Sequence, residues 1–313
     1  MADHIARSRR GVRRLALAAI LASASLVGAD AAAQRFEYSG SLGASTGEFL
    51  FTEPTTTYLL NSGFLLAAER WRLGATFPIL VQNSSALSYV GGRFVATGGP
   101  FARSVRDRAA GAPVASPRRG RGGGSGGGGS AVVDSGAVEG PGPFEATLGD
   151  PMLDAGVELV RSEDGAVRVN AQGFVKLPLA DPASGVGTGA FDFGAGLTFA
   201  AARNGTFVFA DLSHWILGDL PDLPLRDLTS LALGVGRSYG EMGRWSLMGS
   251  ASASTAVIAD TDLAVSTTAG IGLMVAERRF LNASLTIGLT ESTPDWGMSL
   301  GWRLGLPRSG WER

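Results

Sequence analysis

From residue 149 to residue 306 the chain alternates repeatedly between apolar residues and polar or small ones, with a period of two. That period marks extended strands with two unlike faces, because successive side chains on a strand leave on opposite sides. In 166–178, Val167, Val169, Ala171, Gly173, Val175 and Leu177 interleave with Arg168, Asn170, Gln172, Phe174 and Lys176. In 152–160, Leu153, Ala155, Val157 and Leu159 oppose Asp154, Gly156 and Glu158. In 191–201, Phe191, Phe193, Ala195, Leu197 and Phe199 oppose Asp192, Gly194, Gly196 and Thr198. The pattern recurs at 263–275 and 281–289, and it ends with Met298, Leu300, Trp302, Leu304 and Leu306 against Gly297, Ser299, Gly301, Arg303 and Gly305.

The connections alternate as well. Glu163-Asp164-Gly165, Arg203-Asn204-Gly205 and Glu241-Met242-Gly243 carry tight-turn chemistry. Between them fall longer or Pro-containing stretches at 46–56, 83–147, 179–188, 218–225 and 291–295. Short turns at one end and longer loops at the other predict an all-β fold, an antiparallel transmembrane β-barrel. We count about twelve strands: 36–45, 57–68, 70–81, 149–161, 166–178, 189–202, 205–217, 226–239, 244–257, 262–276, 279–290 and 296–306. An even count leaves both termini on the short-turn, periplasmic side and puts every long connection outside the cell. Phe36, Tyr38, Tyr58, Trp71, Trp215, Tyr239, Trp245 and Trp296 fall near strand ends, where interfacial girdles belong. Trp302 falls mid-strand.

A soluble sandwich or lipocalin-like barrel is the competing architecture, and it needs a polar exterior. On the late strands the weaker face carries almost no charge: Ser230, Ala232, Gly234 and Gly236, then Ser250, Ser252 and Ser254, then Ser266, Thr268, Gly270 and Gly272. Such a face makes a poor water-exposed surface and a suitable small-residue lumen. The composition agrees, with 46 Gly, 45% hydrophobic residues and 18% charged ones, against roughly 25% charged in soluble domains. Many of the glycines take lumen-facing positions, where their lack of bulk is expected to keep the interior open. With 27 Lys+Arg against 28 Asp+Glu, the basic surplus of a nucleic-acid binder is missing. With no Cys and two His, a disulfide scaffold, a thiolate metal site, a Cys nucleophile and a lipidated N-terminal Cys are excluded. No cofactor or metal is expected.

The N-terminus reads as an export signal. Arg7, Arg9, Arg10, Arg13 and Arg14 precede an apolar stretch from Leu15 to Val27, then Ala29-Asp30-Ala31-Ala32-Ala33. Cleavage is expected after Ala33, or else after Ala31. The apolar stretch is shorter than the roughly 20 residues of a spanning helix, and no run of 18 apolar residues follows Ala33. The expected organisation is a signal peptide at 1–33, barrel strands at 34–82 and a long flexible extracellular loop at 83–147. Strands resume over 148–306, and 307–313 form a periplasmic tail. The middle of the loop, rich in Arg and then Gly and Ser from Gly122 to Ser130, has the composition of a solvated, disordered insertion.

On the lumen face, Arg70, Arg72, Asp154, Glu158, Arg168, Lys176 and Asp192 all come from the third to sixth strands, so one wall is ionic. Arg303 on the last strand closes beside the first, where Glu37 is the partner to expect. Two readings stay open. A charged wall facing a smooth one sets a transverse field across a substrate path; alternatively, the mixed charges pair into a structural network. Catalysis has little to work with. His214 is the one His of the mature chain, and its neighbour Ser213 points to the opposite face. The Gly tract at 122–129 lacks the Gly-Lys-Ser/Thr ending of a phosphate loop. No enzyme activity is expected.

Leu148-Gly149-Asp150 opens one strand and Phe174-Val175-Lys176-Leu177-Pro178 closes the next, followed by Gly185-Val186-Gly187-Thr188-Gly189 and Phe191-Asp192-Phe193-Gly194. In these segments the chain resembles the outer-membrane transporter family labelled as meta-pathway of phenol degradation, well over 148–306 and loosely over 36–82. That family commonly shows Lys-Leu-Pro-Thr-Gly-Asp, then Gly-Thr-Gly and an Asp; here Leu179-Ala180-Asp181 replaces the Thr-Gly-Asp part. The resemblance implies a barrel that passes small hydrophobic or aromatic compounds. Its carried-over positions are Lys176, Pro178, Asp181, Gly187, Thr188, Gly189 and Asp192, around one extracellular hairpin end. The expectation is a monomeric channel in a Gram-negative outer membrane for passive uptake of small solutes. Its partners would be membrane lipid, a small-molecule solute and the barrel-assembly machinery, with no nucleic acid. A non-conducting barrel whose loop binds a partner or surface polymer is the alternative, and an outer-membrane hydrolase is a more distant one.

Overall fold

The strands close on themselves, which pairs the backbone N–H and C=O groups that an open sheet would leave bare at its edges. The computed structural model describes residues 35–49, 54–84, 87–91, 93–97, 143–220 and 223–306. The expected signal peptide, the middle of loop 83–147 and the C-terminal tail lie outside the described residues. In chain order the strands are β1 (Arg35–Gly47), β2 (Thr55–Ala67), β3 (Trp71–Gln82), β4 (Ser88–Val90), β5 (Arg93–Val95), β6 (Glu145–Leu148), β7 (Met152–Arg161) and β8 (Val167–Lys176). They continue as β9 (Asp192–Arg203), β10 (Thr206–Ile216), β11 (Leu228–Tyr239), β12 (Trp245–Ser254), β13 (Ala264–Ala276), β14 (Arg279–Gly288) and β15 (Trp296–Gly305).

Each long strand pairs antiparallel with its sequence neighbours, and β1 pairs with β15 over Glu37–Thr46, so the sheet has no free side edge. β6 and β7 lie along successive halves of β3, Ile79–Gln82 and Trp71–Thr76, and so form one wall strand in two pieces. Counted this way, the closed barrel has twelve walls. The fourth wall begins at Glu145, inside the segment read as loop, and breaks at Gly149-Asp150-Pro151. Pro151 has no N–H to give to a ladder, while Gly149 still donates to the Pro78 carbonyl. The break turns the Asp150 side chain inward.

The register separates the faces. Leu42, Phe77, Leu197, Leu233, Leu247, Leu285 and Leu300 stand on the outside and are exposed. Opposite parity sends Ser41, Asn61, Gln172, Thr198, Ser252, Thr268 and Ser299 inside, where cross-strand partners meet. The lumen glycines correct the expectation that they keep the interior open. A Cβ on Gly234 would sit 2.2 Å from Phe209 Cζ, one on Gly236 2.2 Å from Phe207 Cζ, and one on Gly194 2.6 Å from Trp215 Cδ2. Each glycine is a bed for a ring on the adjacent strand. Mid-strand Trp302 is explained in the same way, since its ring covers Gly40.

The long-loop end is filled. Within the segment read as a flexible loop, β4 and β5 form a hairpin turned back into the barrel mouth. Ser88 Oγ donates to the Gly185 carbonyl at 2.7 Å, and the Tyr89 N–H donates to the Val186 carbonyl at 2.9 Å. Leu87, Val90 and Ala96 join Phe49, Trp215, Leu217, Leu220, Leu223, Leu225, Leu228, Val257 and Ile258 in a buried apolar cluster. Here the core of the molecule is a plug in its mouth.

Candidate functional site

The lumen has two unlike halves, because the inward residues of the early strands are charged or amide-bearing and those of the late strands are mostly small hydroxyls. On the wall from β3 to β10 a chain of hydrogen bonds runs from Arg72 through Gln172 Oε1, then from Gln172 Nε2 to Thr198 Oγ1 at 2.8 Å, then to Asp211 Oδ1 at 2.5 Å. Gly156 makes room for it, since a Cβ there would lie 2.9 Å from Arg72 Nε. The Asp154 carboxylate covers Gly74 in the same layer. Glu158 receives both Arg161 Nε at 2.7 Å and Arg161 Nη2 at 3.1 Å. Arg168 is exposed at the turn end, opposite Arg161. Arg70 lies in the turn before β3 and is exposed. Arg303 Nε stands 3.8 Å from Glu37 Oε2 across the β1–β15 seam, with the Arg303 side chain 61% exposed.

The resemblance positions gather at the mouth. Lys176 Nζ donates to Thr188 Oγ1 at 2.8 Å and lies 3.2 Å from Asp150 Oδ2 and 3.0 Å from Asp192 Oδ2. Lys176, Asp150 and Asp192 are essentially without solvent contact, at 1%, 1% and 0% exposure. Asp150 Oδ1 accepts the Ala180 N–H at 2.7 Å and Asp192 Oδ1 the Gly218 N–H at 2.9 Å. The Gly91 N–H at the tip of the plug hairpin also bonds Asp192. This cluster therefore ties two barrel strands, the strand break, the 217–227 loop and the plug together. Gly187 packs against Ala180 and Asp150 where a side chain would collide, and Gly189 has φ +69°. Pro178 is half-buried and Asp181 exposed; the Asp181 carbonyl accepts Ser184 Oγ at 2.6 Å.

The other half, from β12 through β15 to β1 and β2, is lined by hydroxyls in cross-strand pairs. Ser252 meets Ser266 at 2.9 Å, Thr268 meets Thr286 at 2.9 Å and Ser284 meets Ser299 at 2.8 Å. A cavity of about 410 Å³ lies between this wall and the plug hairpin, which contributes Gly91, Arg93 and Phe94 to it. That volume falls within the roughly 300–1,000 Å³ of small-molecule sites. Arg93 reaches across to Ser254 Oγ. Tyr89, on the other strand of the hairpin, is buried, and burial pushes its phenol up to about 12. Sequence reasoning missed the plug and hence the roles of Arg93 and Tyr89, and it missed the strand break that brings Asp150 to Lys176. A hairpin signal was available: Leu87-Ser88-Tyr89-Val90 and Arg93-Phe94-Val95 flank Gly91-Gly92.

Ser213 and His214 face opposite sides. Ser213 Oγ meets Ser230 Oγ at 2.7 Å in the lumen, while His214 Nδ1 meets Thr229 Oγ1 at 2.9 Å on the exterior. His214 serves the β10–β11 junction.

A barrel closed on itself, with exposed Leu, Phe, Ile and Val on its outer wall and hydroxyls and charges within, pairs its wall strands all the way round, as a sheet in lipid must. The chain is a transmembrane β-barrel of the outer-membrane type. No protein-family model matches it, and no curated protein does. Among solved structures it is similar to the NanC porin (5% identity, TM-score 0.48, covering 86% of this chain and 100% of that one). It is similar to the KdgM porin (4%, 0.45, 87% and 99%) and to the CymD monoaromatic hydrocarbon channel (10%, 0.41, 93% and 93%). These likenesses are likenesses of fold.

Proposed function

We propose that the chain is an outer-membrane channel for passive uptake of small solutes, which travel along the hydroxyl-lined half of the lumen. The observation that carries this reading is the cavity left between that wall and the plug hairpin. The ionic half is a structural network: Arg72, Glu158 and Lys176 are each engaged by a partner on the wall or at the mouth, and on the other half Arg303 faces Glu37 across the seam. The plug narrows the extracellular mouth without filling the space beneath it. Hydroxyl pairs favour solutes with hydrogen-bond acceptors, and Phe94 adds an aromatic surface. A second reading, a non-conducting barrel whose loop 83–147 binds a partner, draws support from the apolar core in the mouth.

Purified protein in planar bilayers separates the two. A channel gives discrete conductance steps in the intact chain and larger ones when 87–97 is replaced by a Gly/Ser linker. Silence in both forms refutes uptake. Swelling of proteoliposomes in graded sugars and aromatics then ranks the solutes.

A further inference from the structure

Arg93 is the charged residue among those lining the cavity beneath the plug. Its guanidinium donates to Ser254 Oγ, and among the described residues it takes no ion pair with a carboxylate. Asp262 borders the adjoining cleft that Arg93 also lines, without pairing to it. Guanidinium has five N–H donors in a fork and does not give up its charge in proteins. One bond to Ser254 leaves most of that fork free. Burial disfavours the charged form, so an unneutralised cation placed here carries a cost that a bound anion would relieve.

The facing wall adds to this surplus of donors. In the Ser252–Ser266 and Ser284–Ser299 pairs, two hydroxyls hold two protons, of which one is used inside the pair. The other remains to be donated to an acceptor in the cavity. The hairpin that carries Arg93 is fixed at its far strand by Ser88 and Tyr89, so the guanidinium is held over the cavity in advance. Charge-assisted, bidentate recognition by Arg suits a carboxylate.

We propose that this cavity binds a small carboxylate-bearing solute, its carboxylate on Arg93 and its remaining acceptors on the hydroxyl wall of β12–β15. The inference names the solute class of the cavity already read as the solute path, and it rests on that reading. The probe is benzoate, with benzamide as its uncharged counterpart of the same shape, titrated calorimetrically into the full-length protein in detergent. Wild type should bind benzoate about tenfold or more tightly than benzamide. Arg93→Gln should abolish that preference, and Arg93→Lys should keep part of it. Ser254→Ala removes the plug's contact to β12 and keeps the charge, so it should retain the preference and control for displacement of the hairpin. Equal affinity for the two probes, no benzoate binding by wild type, or unchanged binding by Arg93→Gln overturns the proposal. If Arg93→Gln fails to fold, the wild-type comparison of the two probes and Arg93→Lys decide. Benzoate binding without bilayer conductance refutes the channel and leaves the site standing. Conductance without benzoate preference refutes the site alone.

Discussion

Lys176→Met takes the cation out of a buried cluster whose other charged members are Asp150 and Asp192. The Met chain fills nearly the same volume, so the packing change is small and the electrostatic change is isolated. In the native protein one ammonium stands 3.2 and 3.0 Å from the two carboxylates, with Thr188 as a third acceptor at 2.8 Å. Removing one member of a buried ion pair costs about 3–5 kcal/mol, because the remaining charge has lost its counter-ion and cannot reach water. Two carboxylates are orphaned here, so the upper part of that range is expected. Asp192→Asn behaves differently: it leaves Lys176 paired with Asp150, and the amide oxygen can still accept the Gly218 N–H. Its cost should be nearer 1–2 kcal/mol, roughly that of a weakened hydrogen bond. Lys176→Met combined with Asp150→Asn should recover part of the loss. The assay is thermal unfolding in detergent, read by the heat-modifiable shift on gels and by circular dichroism. If Lys176→Met costs less than Asp192→Asn, the cluster is solvated and the reasoning fails.

Gly234→Val places a side chain where the Phe209 ring lies, 2.2 Å from Cζ. It should destabilise by about 1–3 kcal/mol, and a Phe209→Ala partner should relieve most of that in a double-mutant cycle. Tyr89 should ionise only near pH 12, followed by ultraviolet difference absorbance. Its acid form is favoured in the fold, so the stability it brings is whole below pH 10 and fades as pH rises toward about 12. Tyr89→Phe should remove that alkaline loss. Neutralising Arg72 and Arg168 together should leave ion selectivity in bilayers unchanged; a marked shift would restore the transverse-field reading of that wall.

The barrel was legible because each strand declares its two faces, and twelve of them alternate in phase with tight turns. Lys176 and Asp192 were readable as opposite residues for the same reason, since the β8–β9 register pairs them directly. Asp150 was not, because it enters the cluster through a strand break where alternation stops. The plug escaped notice because its short apolar strands sit beside the Arg, Gly and Ser of 98–142, whose composition governed the reading of the whole segment. Glycine misled in another way. Its count suggests empty space, but a glycine opposite an aromatic ring is a seat, and only the register tells the two apart.

The hairpin also bears on the order in which the molecule is made. It leaves the sheet after β3 and returns before β6, yet its anchors are Gly185, Val186, Leu228 and Ser254, some 97 to 161 residues further along. Contacts so distant in the chain are slow to form, and none exists until the middle strands are in place. Docking of the plug must therefore come late, when the wall is largely laid.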